Sequence, residues 1–159
     1  MKKKEKEIIE FHLPTYKEIP AVGLYLDQTS KYINECMSDL DGMEITNSMI
    51  SNYVKKHLIA NPVKKQYGRE QIAYLIFIVM TKSSLSLDDV EDLFDLQKKK
   101  YSCEETYTYF RDLFEEIYYG EDLRSVKKED GDKGLLKDIV INVVSNIRLH
   151  KLLSDTFRK

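Results

Sequence analysis

Apolar residues recur at three- and four-residue intervals along almost the whole chain, which is the period of a helix buried on one face. Strict alternation of apolar and polar residues, the pattern of a strand, is missing apart from a short hairpin-like stretch at Val63 to Tyr67. The pattern therefore predicts a mainly α-helical protein with about six helices and at most one short β-hairpin.

Two amphipathic helices are predicted in the first third of the chain. The first ends near Asp41 and Gly42 and has an apolar stripe made of Leu26, Thr29, Ile33, Cys36, Met37 and Leu40. The second begins after Thr46, a favourable N-cap, with Ile45 and Ile50 placed as a hydrophobic staple. Its buried stripe would comprise Met49, Ile50, Tyr53, Val54 and Leu58, which leaves the opposite face polar and without acids.

Four further helices are predicted after Pro62, which cannot continue a helix. Arg69 to Lys82 is apolar on nearly all sides, and we favour a central helix over a buried strand because this strand would lack partners. Capping boxes predict two more helix starts, at Ser86 with Asp89 and at Ser102 with Glu105. A polar loop over 121–134 precedes a last helix over 135–157, whose many β-branched residues leave a strand open as the alternative.

Composition indicates an ordinary globular protein, with 42% hydrophobic and 33% charged residues. Cys36 and Cys103 lack the close spacing of a zinc knuckle or a redox pair, which favours reduced thiols in a cytosolic protein. The N-terminal segment lacks the apolar stretch of a secretory signal, and we interpret it as a frayed arm. The longest apolar run is shorter than the ~20 residues of a membrane span. We therefore expect a cytoplasmic protein without membrane association.

The positive charge is concentrated between Ile45 and Arg69. The formal net charge of the whole chain is -2, yet this segment contains no acid and five cations, so the rest of the chain carries -7. A recognition helix needs short polar side chains that reach base edges and nearby cations that bind phosphate. The predicted base contacts are Ser48, Ser51 and Asn52, of which Asn52 suits adenine best. The predicted phosphate contacts are Lys55, Lys56, Lys64, Lys65, Tyr67 and Arg69. The alternative is that these residues form only the solvated face of a surface helix.

A resemblance to a known family covers roughly Leu24 to Phe94. It is carried by ITNSMISNYVKKHLIANPVKKQYGREQIAYLIFI and LSLDDVEDLF, whose order of recognition helix, wing, central helix and acidic helix resembles the winged helix-turn-helix of mercury-resistance (MerR-like) regulators. Tyr53 and Tyr67 match aromatic positions of that pattern, whereas Ser51 and Asn52 stand where it has an arginine and a tyrosine. His57 occupies the position of its usual glycine. The resemblance implies DNA binding by a helix and a basic wing over 62–69.

A second resemblance spans most of the chain. The stretch LPTYKEIPAVGLYLDQ, together with the same block and the apolar C-terminal helix, is similar to a family of uncharacterised bacterial proteins known as domain of unknown function 1836. We divide the chain into an N-terminal arm over 1–20, a DNA-binding region over 21–98 and a C-terminal helical subdomain over 99–159. Tyrosines in the last part could line a dimer interface, although we favour the simpler interpretation that they occupy core and rim positions.

These observations favour a non-catalytic protein. The three histidines are widely spaced, phosphate-binding loops are missing, and Asp130-Gly131-Asp132 lacks the other ligands of a calcium loop, so we expect no metal, cofactor or enzymatic activity. The leading hypothesis is a homodimeric transcriptional regulator that binds double-stranded DNA. The alternatives are a protein-interaction module on the same scaffold, with an acidic or membrane-associated partner, and a sensor with a small-molecule effector between its C-terminal helices.

Overall fold

Six α-helices account for most of the residues that the computed structural model describes, which are 11–120 and 122–158. Short 3₁₀ helices lie at Tyr16–Glu18 and Leu123–Ser125. The α-helices are α1 (Leu26–Cys36), α2 (Asn47–Lys55), α3 (Arg69–Thr81), α4 (Leu87–Lys100), α5 (Cys103–Tyr118) and α6 (Gly131–Phe157). The prediction of a mainly helical chain with about six helices is confirmed.

The predicted N-caps are confirmed at three helix starts. The side-chain oxygens of Thr46, Ser86 and Ser102 each accept a hydrogen bond from the backbone N–H three residues later, at 3.1 Å in every case. At α4 and α5 the carboxylate three residues after the cap, Asp89 or Glu105, accepts a hydrogen bond from the backbone N–H of the cap residue, which completes the capping box. Local side-chain chemistry therefore fixes where these helices begin.

Two predicted boundaries were wrong. α1 ends at Cys36 and not near Gly42. Met37 and Leu40 are buried as predicted, but they lie in a turn after the helix, in which the Leu40 N–H donates to the Met37 carbonyl at 2.9 Å. These two residues keep the spacing of a helix although they lie beyond its end. α6 begins at Gly131, four residues before the predicted start, and a Cβ at Gly134 would lie 1.8 Å from the Glu129 carbonyl oxygen. The absence of that Cβ lets the preceding loop pack against the first turn of α6.

The hairpin wing predicted over 62–69 is also wrong. Within the described ranges no residue belongs to a β-strand, and only two isolated antiparallel bridges occur, Val63 with Gln66 and Leu24 with Tyr67. Val63 is 73% exposed and forms a single bridged pair with Gln66, so the segments on either side of the turn are too short to count as strands. A tight turn over 63–66 therefore replaces the wing, and we call it the Lys64–Lys65 turn.

α3 lies at the centre of the protein. Its residues 75–81 are all buried, and it packs against α1, α5 and α6, while α5 and α6 make the most extensive helix pair. The predictions of a helix and not a strand are confirmed for α3 and for α6, whose Ile139, Val140, Val143 and Val144 are buried. One hydrophobic cluster runs through both predicted regions, 21–98 and 99–159, so they share a core. None of the described helices is both long and apolar enough to cross a membrane.

The segment over 11–20 packs against α5. Phe11 and Leu13 are buried, and their carbonyl groups accept hydrogen bonds from the Tyr119 hydroxyl at 2.6 Å and the Arg111 Nε at 2.9 Å. The Tyr107 hydroxyl binds the Pro14 carbonyl at 2.6 Å. Residues 1–10 of the predicted arm lie outside the described residues, but its second half is part of the folded core.

Candidate nucleic-acid interface

α2 presents a polar face to solvent. Ile50 is fully buried and Tyr53 is 5% exposed, so these side chains anchor the inner face of the helix. The outer face consists of four exposed residues that bear no negative charge: Ser48, Ser51, Asn52 and Lys55. The division predicted from helical spacing thus corresponds to the observed burial, and the exposed side chains are free to meet a ligand.

Side chains from α1 hold the start of α2. The Asn34 amide donates to the Ile45 carbonyl at 2.9 Å and accepts from the Ile45 N–H at 2.8 Å. Asn47 accepts a hydrogen bond from the Ser30 hydroxyl at 2.6 Å and donates another to the Asp27 carboxylate. These contacts fix the orientation of α2 relative to α1. Helical periodicity does not reveal them, because the partners are distant in the chain.

The end of α2 is closed by a Schellman motif. The Leu58 N–H donates to the Tyr53 carbonyl and the His57 N–H donates to the Val54 carbonyl, both at 3.0 Å. His57 has a φ of 61°, a left-handed conformation in which glycine is strongly preferred. The chain therefore leaves α2 sharply after Lys56, which is exposed at the helix end.

The Lys64–Lys65 turn has the hydrogen bonds of a two-residue reverse turn. Val63 and Gln66 exchange both backbone bonds, at 3.1 Å and 2.9 Å. Lys64 and Lys65 have φ values of 52° and 63°, positions for which Asn-Gly is the preferred sequence. Lysine is costly in this left-handed conformation, yet both side chains are exposed at the tip.

Three contacts hold this turn against the body of the protein. Tyr67 exchanges backbone hydrogen bonds with Leu24, at 2.7 Å and 3.0 Å, and the Gln71 amide donates to the Ala60 carbonyl at 2.8 Å. Gly23 lies so close to the turn that an added Cβ would be 2.7 Å from the Gln66 Cβ. The lysines therefore project from a backbone that is fixed on both sides.

Tyr67 and Arg69 have structural partners and are not part of the exposed surface. The Tyr67 side chain is 5% exposed, and burial raises the pKa of its hydroxyl. The Arg69 guanidinium donates to the carbonyls of Ile19 at 2.8 Å and Lys17 at 3.0 Å. It also lies 5.6 Å from the centre of the Tyr16 ring. The Arg69 side chain thus holds the N-terminal segment onto the start of α3, a role that sequence spacing does not indicate.

Seven of the nine predicted site residues are exposed and none of the seven is acidic, and we call them together the acid-free surface: Ser48, Ser51, Asn52, Lys55, Lys56, Lys64 and Lys65. Asp27 is the acidic side chain that α1 places at the start of α2, where it binds Asn47. In the part of the chain that the structure describes, no group of three or more His, Cys, Asp or Glu side chains could hold a metal ion.

A family model described as a domain of unknown function, DUF1836, matches residues 14–118 of the chain, and the chain therefore belongs to this family. The match includes the whole acid-free surface and ends at the last residue of α5, so α6 lies outside it. No curated protein and no solved structure is significantly similar to the chain.

Proposed function

We propose that this member of the DUF1836 family is a cytoplasmic transcriptional regulator that binds double-stranded DNA, with α1 and α2 as a helix-turn-helix pair. The observation that carries the proposal is the acid-free surface, since exposed polar and cationic side chains without acids are what phosphates and base edges require. The order of recognition helix, basic turn and central helix is similar to that of MerR-like regulators.

The dimensions of α2 suit the major groove. Its nine residues give a length of about 13 Å, and the groove admits an α-helix lengthwise. Ser48, Ser51 and Asn52 lie on the outward face, where they would contact base edges. The Asn52 amide can pair with the N6 and N7 atoms of adenine, which makes it the principal candidate for sequence readout.

The lysines at the ends of this surface would bind the phosphates on either side of the groove. Lys55 and Lys56 lie at the end of α2, and Lys64 and Lys65 at the tip of the turn. The left-handed backbone at both turn lysines costs stability, and backbone strain of this kind concentrates at functional sites. Binding of phosphate would explain why lysines and not Asn-Gly occupy the turn.

A single helix of this size reads few base pairs, so the regulator would act as a homodimer. The C-terminal half of α6 offers a surface for pairing: Leu149, Leu152, Leu153 and Phe157 are 55%, 62%, 41% and 76% exposed on one helix face. These fractions amount to about 500 Å² of apolar surface per copy, at the upper end for an ordinary monomer. Two such faces would bury roughly 1,000 Å², the lower limit for a stable interface, so we assign this face to a second copy of the chain.

Fluorescence anisotropy with labelled duplexes tests the proposal. The full chain should bind random duplex at low salt and bind duplexes selected from a random pool more tightly. Replacing Lys55, Lys56, Lys64 and Lys65 with Glu should abolish both activities. The matched control reverses four exposed cations elsewhere, Lys99, Arg124, Lys127 and Lys128, and should retain binding because these lie outside the acid-free surface.

Two results would contradict DNA binding: no binding by the folded wild type at low salt, or equal binding by the two charge-reversed proteins. A pull-down from nuclease-treated lysate distinguishes DNA binding from the main alternative, a protein-interaction module. Retention of one protein partner that depends on the same four lysines would favour a protein-interaction module. Sedimentation of the chain and of a Leu152→Glu, Phe157→Glu variant tests the dimer, which should dissociate in the variant.

A further inference from the structure

An open-sided cavity of about 350 Å³ lies between α3, α4 and the N-terminal halves of α5 and α6, and we call it the α4 cavity. Six aromatic side chains dominate its walls: Tyr74, Phe77, Phe94, Tyr101, Tyr107 and Tyr109. Small-molecule sites in proteins usually have volumes of roughly 300 to 1,000 Å³ and predominantly apolar walls. The α4 cavity has the size and lining of such a site, and it is separate from the exposed face of α2.

α4 contributes few buried side chains, and the helices that face it carry small residues, so a cavity remains between them. Only Val90, Phe94 and Gln97 of α4 are buried, and Ala73 and Thr106 leave space on the facing helices. The Phe94 ring lies 4.7 Å from Tyr74 and 5.7 Å from Phe77, measured between ring centroids, and forms one end of the space. Aromatic rings at these distances form rigid walls against which another ring can stack.

Gln97 supplies a fixed polar group inside this apolar lining. Its side chain is 8% exposed; its Oε1 accepts from the Tyr74 hydroxyl at 3.0 Å and its Nε2 donates to the Tyr101 carbonyl at 2.9 Å. A primary amide has two N–H donors and two acceptor lone pairs, so one of each remains for a ligand. The amide is held in place by its existing bonds and could orient a ligand that carries one hydrogen-bonding group.

The charged side chains in the lining of the α4 cavity already have contacts within the protein. Asp132 forms an ion pair with Lys100 at 2.9 Å, and Glu105 accepts a hydrogen bond from the Ser102 backbone in the cap of α5. The Lys133 ammonium lies over the Tyr109 ring at 5.9 Å from its centre. The Cys103 thiol in the wall is neutral, because burial raises its pKa to about 12. An ionised group on the ligand would therefore have to compete with these existing contacts, whereas an uncharged ligand would leave them intact.

We propose that the α4 cavity binds an uncharged aromatic small molecule with a single hydrogen-bonding group, which stacks on the tyrosine and phenylalanine rings and meets Gln97. A cavity of about 150 Å³ accommodates benzene, so this volume corresponds to roughly ten to twenty non-hydrogen atoms. This site shares no residue with the acid-free surface, so binding of the small molecule does not depend on DNA binding.

N-phenyl-1-naphthylamine, an uncharged fluorophore with a naphthyl group, a phenyl ring and one N–H, is a suitable probe. Titration of the probe into the full chain should give a saturable increase in fluorescence with one site per chain. The related sulfonate, 1-anilinonaphthalene-8-sulfonate, should bind at least tenfold more weakly because of its charge.

A pair of Trp substitutions on α5 locates the site. Thr106 lines the cavity, whereas Thr108 on the same helix is exposed to solvent. Thr106→Trp should fill the space and weaken probe binding at least tenfold, and Thr108→Trp should leave it unchanged. If Thr106→Trp fails to fold by circular dichroism, Leu96→Trp fills the cavity from α4, with the exposed Asp95→Trp as its control.

Saturable binding that is lost only in the cavity-filled variants supports the proposal. Three results would overturn it: no saturable binding of the uncharged probe to the wild type, equal binding by filled and control variants, or preference for the sulfonate. Equal binding by all variants would place the probe on an exposed apolar surface such as the C-terminal face of α6.

Discussion

The backbone N–H of Leu58 donates to the Tyr53 carbonyl across 3.0 Å, and both side chains are buried, so the chain folds back over the end of α2. This relationship requires the intervening His57 to adopt a φ of 61°. It turns the chain away directly after Lys56 and begins the connection that leads to the Lys64–Lys65 turn. The end of the candidate recognition helix is thus specified by a backbone conformation that histidine adopts at a cost.

Replacing His57 with Gly should stabilise the protein. Glycine adopts the left-handed conformation without steric cost, and part of this gain is offset by its larger entropy in the unfolded chain, so we expect about 0.5–1 kcal/mol in the free energy of unfolding. Urea denaturation followed by circular dichroism measures it. The matched control is His150→Gly, an exposed position within α6, which should destabilise the protein through lower helix propensity. Equal effects of the two substitutions would contradict the Schellman motif.

The Lys64–Lys65 turn should show a conflict between stability and binding. The double variant Lys64→Asn, Lys65→Gly has the preferred sequence for this turn and should gain about 1 kcal/mol in the free energy of unfolding. It also loses two cations from the acid-free surface, so affinity for duplex DNA should fall roughly tenfold. Lys127→Asn, Lys128→Gly removes the same charges from an exposed loop and should change neither quantity appreciably. A double variant that binds DNA as well as the wild type would exclude the turn from the interface.

The Asn34 amide should be important for stability. Asn34→Ala removes both hydrogen bonds to Ile45 and leaves a partly buried carbonyl and N–H unpaired, so the free energy of unfolding should fall by about 1–3 kcal/mol. Asn52→Ala is the comparison, since Asn52 is exposed on α2 and should change stability by less than about 0.5 kcal/mol. Thermal denaturation of both variants would show the difference. Similar melting temperatures would mean that Asn34 does not hold α2.

The helices could be predicted from the sequence because their signals are local. The N-caps at Thr46, Ser86 and Ser102 act within one turn, and apolar spacing identifies the buried faces of α2 and α5. The end of α1 could not be found this way, since Met37 and Leu40 keep the helical spacing while lying in a turn.

The candidate site was predictable only in part. Exposure of α2 follows from periodicity, so Ser48, Ser51 and Asn52 were placed correctly on the surface. The inward positions of Tyr67 and Arg69 depend on contacts with residues about 40 to 50 positions earlier, Leu24 and Ile19, which a single sequence does not pair. The charge of Arg69 resembles that of the exposed lysines, but its fixed hydrogen bonds give it a structural role.

Cys103 should make the protein sensitive to alkaline pH. Burial raises the pKa of its thiol from the usual 9.0 to about 12. The stabilising effect of keeping this thiol neutral is complete below pH 9 and is lost as pH rises towards 12, because the unfolded state releases the proton first. The free energy of unfolding should therefore fall less steeply above pH 9 in Cys103→Ala than in the wild type.

Urea denaturation at pH 8, 9 and 10 measures these slopes. Tyrosines that do not interact with Cys103 contribute equally to both proteins, so their effect cancels in the difference. Burial and, after it, the charge of Cys103 raise the pKa values of Tyr16 and Tyr74, so these two hydroxyls contribute to the difference together with the thiol. Cys36→Ala, at the less buried thiol, should change the slope less than Cys103→Ala. Identical slopes for the wild type and Cys103→Ala would show that the folded thiol titrates normally.

The salt dependence of DNA binding tests the central claim most directly. The wild type and a neutral variant with Gln at Lys55, Lys56, Lys64 and Lys65 are compared by anisotropy across a range of salt concentrations. Each phosphate contact contributes about -0.9 to the slope of log affinity against log salt. We expect a steep wild-type slope that becomes shallower by about 3 to 4 in the variant. Equal slopes for the two proteins, or no binding by the wild type at low salt, would contradict the acid-free surface as a DNA interface.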